Sequence, residues 1–86
     1  MPYALRVAKG VGKTLTKLSK KDPETHKEIL RKVERILEDP YHSGHPLHSK
    51  YKGVWETHVK NSLLFYIIND SLKIVELVKY IDHDEL

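Results

Sequence analysis

The sequence predicts an α+β domain with the element order β-α-α-β-β-β, in which a helical hairpin packs on one face of a small, mostly antiparallel four-stranded sheet. Two observations carry this prediction. Apolar residues recur at helical spacing in the first half of the chain, and strand-like segments separated by short turns fill the second half. The 86 residues are enough for one domain, residues 1–86, and not for two. Helices gathered on one face of a sheet leave its other face free for a ligand.

The first half of the chain predicts a short strand and two helices. Residues 3–8 alternate in polarity as a strand does, and residues 10–18 show an apolar helical stripe with lysines on a different side. The second helix begins at Asp22-Pro23, an N-cap acceptor followed by proline at the first helical position, and ends before Asp39-Pro40. The apolar stripe predicted for this helix consists of Ile29, Leu30, Val33, Ile36 and Leu37.

The second half predicts a surface loop and a three-stranded meander. Residues 41–53 are rich in His, Ser, Gly and Pro and show no periodicity, which indicates a loop. Residues 54–59 alternate in polarity as a strand with one buried face does. Trp55 is predicted to lie on the buried face, in the core, and His58 on the solvent-exposed face. Residues 63–68 are apolar on both faces, which is typical of a central strand, and residues 72–81 follow as the last strand.

Composition excludes several classes of protein. The chain has no cysteine, so neither disulfides nor thiolate zinc sites can stabilise it. Its longest near-continuous apolar run, residues 63–68, is far shorter than the ~18 residues of a membrane span. The N-terminus lacks the pattern of a secretory signal. We therefore expect a cytoplasmic protein without a membrane partner.

The charge is distributed unevenly. The net charge is +3, and the N-terminal part carries no acidic residue before Asp22. The tail, in contrast, carries Asp82, Asp84 and Glu85. Such asymmetry favours a polyanionic or acidic partner, and a solvated lysine face is the alternative. The lysines in question are Lys9, Lys13, Lys17, Lys20 and Lys21.

A glycine-rich segment at residues 10–14 resembles the end of a phosphate-binding P-loop. That signature requires a further glycine five residues before the Gly-Lys-Thr glycine, and Val7 occupies this position. The loop is therefore too short to wrap a diphosphate, and nucleotide-triphosphate binding is not predicted.

Three histidines spaced three residues apart, His42, His45 and His48, suggest a metal site at first sight. Three imidazoles can hold zinc, but a helix or a rigid scaffold must aim all of them inward. Pro46 excludes a regular helix here, so we predict no metal site and treat His42 and His48 as bystanders.

A different histidine set, His45, His58 and His83 with Lys50 and Lys52, fits RNA cleavage by internal transfer. That reaction needs a base for the ribose 2′-hydroxyl, an acid for the leaving 5′-oxygen, and cations for the phosphorane. Imidazole serves both proton-transfer roles near neutral pH. Each such group typically contributes ~10²–10⁴ in rate, and no metal or cofactor is required. The competing interpretation is that each histidine is simply a polar residue on a wet surface.

The same residues resemble the RelE/ParE superfamily of small toxins, most closely the YafQ-like branch of ribosome-dependent mRNA interferases. The matching features are the helix end Ile-Leu-Glu-Asp-Pro40, the run His45-Pro-Leu, then Lys52-Gly and His58-Val, and the terminal His83-Asp-Glu-Leu86. The resemblance covers nearly the whole chain, and its specificity lies in the second half. It implies a RelE-like fold and a type II toxin that cuts messenger RNA in the ribosomal decoding site, beside ribosomal RNA, and is held inactive by a cognate antitoxin.

Carried over by position, His45, His58 and His83 fall on the catalytic histidines of the branch, with His58 and His83 as the proton-transfer pair. Which of the two is base and which is acid stays open. Lysines of the loop and of the first helix are expected to contact RNA phosphates without reading sequence. These lysines are Lys50, Lys52, Lys13 and Lys17.

Two differences from the branch keep other functions open. The branch has an aspartate just after the His-Val pair, where residues 60–62 here are Lys, Asn and Ser. It also ends in an aromatic residue that stacks on a base, where this sequence ends in Leu86 and offers Tyr80 as a substitute. One alternative is a ParE-like toxin that binds a protein target without cutting. The other is a degenerate member that retains only antitoxin binding. The catalytic interpretation predicts that the three histidines converge, on the helix-free side of the sheet, within roughly 10 Å.

Overall fold

Two helices pack against one face of a mixed five-stranded sheet in the computed structural model, which describes residues 2–83. The strand order is β1-β5-β4-β3-β2, with β1 parallel to β5 and every other pair antiparallel. The predicted α+β class is confirmed. The elements are β1 (Ala4–Val7), α1 (Lys9–Lys21), α2 (Pro23–Glu38), β2 (His45–Pro46), a 3₁₀ turn (Ser49–Tyr51), β3 (Val54–Val59), β4 (Ser62–Asn69) and β5 (Ile74–Asp82).

The sheet has one strand more than predicted. The additional strand is β2, whose two residues pair with Trp55 and Glu56 of β3 inside the segment predicted as a loop. Two residues are too few to produce a visible alternation of polarity. A hydrogen bond from the Leu47 amide to the Val54 carbonyl, at 2.8 Å, continues this pairing towards the turn.

The predicted helix boundary at Asp22 is confirmed. One Asp22 carboxylate oxygen accepts a hydrogen bond from the Thr25 amide at 3.2 Å, and the other accepts from the Thr25 hydroxyl at 2.7 Å. Both hydrogen bonds favour the charged carboxylate and therefore lower the pKa of Asp22. The bond from the Thr25 hydroxyl has the larger effect, and the bond from the Thr25 amide has the smaller one. The same residue ends α1 and begins α2, so the hairpin turns at a single position.

The core lies between the helices and the inner face of β3, β4 and β5. Of the predicted α2 stripe, Ile29, Val33 and Ile36 are buried and Leu37 is partly buried, whereas Leu30 is 48% exposed. Every buried side-chain nitrogen and oxygen in residues 2–83 has a hydrogen-bond partner. The buried apolar residues are Val11, Ile29, Val33, Ile36, Val59, Leu64, Tyr66, Val75 and Leu77.

An aromatic row connects the core to the segment after α2. Trp55 packs against the buried cluster, as predicted, and its ring stacks on Tyr66 at a centroid distance of 6.3 Å. The Tyr41 and Trp55 rings are nearly perpendicular, and their centroids lie 5.6 Å apart. The row therefore braces the segment between α2 and β2, which carries the first of the candidate histidines.

Within residues 2–83, none of the helices combines the length and the hydropathy needed to cross a bilayer.

Candidate functional site

His45 and His58 lie beside each other at the free edge of the sheet. His45 pairs with Glu56, two residues before His58 on β3, which makes the two histidines diagonal neighbours. Such neighbours are typically about 7–8 Å apart. Both are exposed, and both line one shallow pocket of about 330 Å³ that also includes Lys32 of α2. The structure thus brings together two of the three predicted catalytic histidines.

The position of this pocket follows from the short length of β2. The strand pleat turns His58 away from its buried neighbours Thr57 and Val59. Beyond Glu56, β3 has no further strand on this side among residues 2–83, so its edge faces the pocket directly. The two histidines consequently gather at the edge of the sheet, within reach of α2, and not over the middle of the helix-free face.

His83 lies in a neighbouring pocket of about 310 Å³, directly after β5. Lys60 connects the two histidine positions, because it lines this pocket with His83 and a third pocket, of about 280 Å³, with His58. The structure therefore places His83 next to the His58 region but in a separate depression, whose walls include Leu18 and Thr25 of the helices. The predicted convergence of all three histidines in one site on the helix-free side is not seen. The remainder of the terminal motif, residues 84–86, lies outside the described residues, as does Met1 of the predicted domain.

Tyr80, the proposed substitute for the terminal aromatic, is partly buried. Its ring packs against the core, and its hydroxyl lies 2.6 Å from the Ser62 hydroxyl. It contributes to the wall of the His83 pocket. A ring held in this way is poorly placed to stack on an incoming base.

The segment that carries His45 is held tightly against β3. The Ser43 hydroxyl donates to the Asp39 carbonyl at 2.7 Å, and the Ser43 carbonyl accepts from the Thr57 hydroxyl at 2.9 Å. A Cβ atom at Gly44 would lie 2.6 Å from the Glu56 carbonyl oxygen, so only glycine fits this close approach. These contacts fix the position of His45 relative to His58.

His42 was treated as a bystander, yet it lines the same pocket as His45 and His58. Its Nδ1 lies 2.9 Å from a carboxylate oxygen of Asp39. When Nδ1–H donates to Asp39, Nε2 is left as the proton acceptor of the ring. The spacing of three between Asp39 and His42, across the end of a helix, is the sequence signal that could have revealed this pair.

The four predicted phosphate-binding lysines do not line the histidine pockets. Lys13 and Lys17 are exposed on α1, and Lys50 and Lys52 belong to the loop between β2 and β3. The cations beside the histidines are different residues, which the sequence analysis missed. They are Lys32, Lys60, Arg31 and Arg35.

Lys60 could have been found from the sequence because it directly follows the predicted strand of His58, before the next predicted strand begins. Its backbone adopts a left-handed conformation, with φ of 53°. Its ammonium lies 3.9 Å from Glu24, a contact between exposed groups that holds it only weakly. Lys32 gave no such signal, since it is one of many charged residues on the outer surface of α2.

No group of three or more His, Cys, Asp or Glu side chains within residues 2–83 has an arrangement that could hold a metal ion. The site instead offers imidazoles at the edge of the sheet with ammonium and guanidinium groups beside them. Imidazoles can transfer protons, and the cations can stabilise a phosphoryl group that gains negative charge.

Comparison with known proteins gives one relative by sequence and several by structure. No family model matches the chain. A protein from Methanocaldococcus jannaschii named "Putative toxin RelE4" is 33% identical over 88 residues, which cover 98% of this chain and 89% of the relative. In the toxin–antitoxin complex RelBE2 from Mycobacterium tuberculosis, one chain matches with a TM-score of 0.83 and 20% identity, covering 95% of this chain and 99% of that chain. YafQ from E. coli matches with a TM-score of 0.61 and 20% identity, covering 95% and 94%.

Proposed function

Because the chain belongs to the RelE/ParE superfamily of toxins, as its relative over almost the full length shows, we propose that it is a ribosome-dependent mRNA endonuclease of the YafQ-like type. Its partners are then messenger RNA on the ribosome and a cognate antitoxin, and it works without a metal or other cofactor. The observation that carries the proposal is the pocket shared by His45 and His58, with His83 in the adjoining depression.

The proposed reaction is an internal transfer. One imidazole removes the proton of the ribose 2′-hydroxyl, and the 2′-oxygen attacks the phosphorus. The bond from phosphorus to the 5′-oxygen breaks, and a second imidazole, in its protonated form, gives a proton to that oxygen. The products are a 2′,3′-cyclic phosphate and a 5′-hydroxyl. We assign the two proton transfers to His58 and His83, with His45 as the neighbour of His58.

The cations near His58 supply the electrostatic part of the reaction. Lys60 lines a pocket with each member of the proposed pair, and Lys32 lines both pockets of His58. Neutralising the extra negative charge of the phosphorane requires such groups close to the scissile phosphate. The more distant Lys13, Lys17, Lys50 and Lys52 then serve to hold the RNA backbone beyond the cleaved bond.

The antitoxin proposal has a physical basis as well as a precedent in the RelBE2 complex. The chain carries a net charge of +3, and Leu5 and Leu30 are both more than 40% exposed. An acidic, amphipathic segment that folds on binding would cover both kinds of surface.

The test is expression of the wild type and of the double variant His58→Ala, His83→Ala, with message cleavage on translating ribosomes as the readout. The proposal predicts that cleavage disappears in the double variant while the protein remains folded. Growth inhibition that persists without cleavage would favour the ParE-like alternative, in which the toxin acts by binding a protein. If the wild type neither cleaves messages nor inhibits growth, the result would favour a degenerate member that retains only antitoxin binding.

A further inference from the structure

The helix-free face of the sheet carries an apolar pocket that none of the proposed catalytic groups enters. Its floor is formed by side chains of three adjacent strands, Val54, Phe65, Val78 and Ile81, and its volume is about 490 Å³. Pockets of ~300–1,000 Å³ with mostly apolar walls are typical of small-molecule sites. This pocket is therefore large enough to hold a planar ring system.

The wall of the pocket comes from the loop between β2 and β3. Leu47 and Tyr51 line it, and the Tyr51 side chain is left 55% exposed. The loop reaches this position through two left-handed residues, Ser49 with φ of 58° and Gly53 with φ of 98°. A non-glycine residue in that conformation is strained, and such strain is concentrated at functional sites.

Two lysines lie at the pocket. Lys79 lines it, and the Lys50 ammonium lies 5.2 Å from the centre of the Tyr51 ring. None of the residues that line the pocket is acidic, and Glu56, the cross-strand partner of Phe65, is not among them. These features fit a ligand with a flat, apolar ring and a negatively charged group attached to it. They fit a neutral ligand less well.

We propose that this pocket binds one nucleobase of a single-stranded RNA, stacked on the Tyr51 ring, with Lys50 and Lys79 contacting the flanking phosphates. Exposed aromatic rings beside cations are the usual means by which proteins hold unpaired bases. The proposal rests on the proposed function, since it concerns the RNA that the toxin would cut.

The test is an NMR titration of the isolated protein with the trinucleotide UUU and with the same trinucleotide lacking the middle base. We expect the methyl signals of Leu47, Val78 and Ile81 to shift with the complete trinucleotide, and to shift far less with the abasic form. We expect Tyr51→Ala to weaken binding by roughly 5- to 150-fold, the range for loss of one stacked base. Tyr51→Phe should preserve the affinity. The control Leu72→Ala removes another exposed apolar side chain, one outside the pocket, and should have no effect.

Several outcomes would overturn the proposal. These are equal shifts with the abasic trinucleotide, unchanged affinity in a folded Tyr51→Ala variant, or displacement of the RNA by an acidic peptide of alternating Glu and Leu at equal or lower concentration. The last outcome would assign the pocket to a protein partner. If the wild type cuts messages on ribosomes but shows no base-dependent shifts, only the pocket assignment fails. If base-dependent shifts occur without any message cleavage, the pocket assignment holds and the proposed function fails.

Discussion

The hydroxyl of Tyr66, a fully buried residue at the centre of the sheet, donates a hydrogen bond to the carbonyl of Pro40 at 2.8 Å. This bond joins the central strand to the second residue after α2, which is also fully buried. The segment that begins there carries His42 and His45. One core hydrogen bond thus fixes where the proposed site begins.

Tyr66→Phe is expected to destabilise the fold by about 1–3 kcal/mol, because the Pro40 carbonyl would lose its partner inside the protein. Chemical denaturation measured by circular dichroism tests this. Tyr51→Phe, which removes a hydroxyl from an exposed ring, is the control and should change stability by less than about 0.5 kcal/mol. Equal stability of the two variants would contradict the importance of the buried bond.

The same residue predicts a loss of stability at high pH. Burial raises the pKa of Tyr66 to about 12, from an ordinary value of 10.0, and the nearby Asp39 adds to the effect. Because the folded-state pKa is raised, the neutral hydroxyl contributes fully to the stability of the fold below pH 10. This stabilisation is lost as the pH rises through about 12. Unfolding curves between pH 9 and 12 should show this decline in the wild type and a weaker decline in Tyr66→Phe. Parallel declines would exclude Tyr66 as a cause.

Asp22 predicts the opposite dependence, at acid pH. Its pKa is lowered by the hydrogen bonds from Thr25, so its contribution is present above the ordinary value of 3.8 and is lost as the pH falls through the folded-state value. Asp22→Asn keeps a capping side chain without the charge. We expect the stability of this variant to vary less with pH between 2 and 5 than that of the wild type. If the stability of Asp22→Asn falls at acid pH as steeply as that of the wild type, the ionisation of Asp22 does not contribute to stability.

Gly44→Ala should disturb the site through the backbone. The new methyl group would lie 2.6 Å from both the Glu56 carbonyl oxygen and the Tyr66 hydroxyl, so the loop must move away from β3 at a cost of about 1–3 kcal/mol. Gly10→Ala is the matched control, since a Cβ there meets nothing within 4 Å. Amide chemical shifts should change around His45 and His58 in Gly44→Ala only. A Gly44→Ala variant as stable as Gly10→Ala would contradict the close approach.

Lys60→Gln tests the cation between the proposed proton-transfer residues. Loss of one charged hydrogen bond to the phosphorane should slow message cleavage by roughly 10- to 100-fold. Because proton transfer remains intact, the shape of the pH–rate profile should not change. Lys60→Arg keeps the charge and should retain most activity, whereas equal losses in Lys60→Gln and Lys60→Arg would point to the shape of the turn as the cause. Full activity in Lys60→Gln would exclude this lysine from the site.

The elements with a strong local signal could be predicted from the sequence. Asp22-Pro23 defined the start of α2, and the alternation through Thr57 and Val59 identified β3 and its buried side. The two-residue β2 could not be predicted, because it exists only through pairing with Trp55 and Glu56. Leu30 shares the apolar stripe and is nevertheless exposed, because a helical stripe shows which residues share a face and not how far the sheet extends beneath them.

The candidate site was predicted in part, for a similar reason. The motif supplied His45 and His58, which the structure places in one pocket. The cations around them come from α2 and from the turn after β3, and only the packing of the helix against the sheet edge brings Lys32 there. Charge patterns along the chain pointed to Lys13 and Lys17 instead, since they reveal charged surfaces and not which surface lies beside a given strand.

The central claim is that His58 transfers a proton during cleavage of messenger RNA. The most direct measurement is the single-turnover cleavage rate of ribosome-bound message by His58→Ala, compared with His48→Ala, which removes another exposed histidine that lines none of the histidine pockets described above. The account predicts a loss of ~10²–10⁴-fold for His58→Ala and a rate within about twofold of the wild type for His48→Ala. Cleavage by a folded His58→Ala variant at the wild-type rate would contradict it.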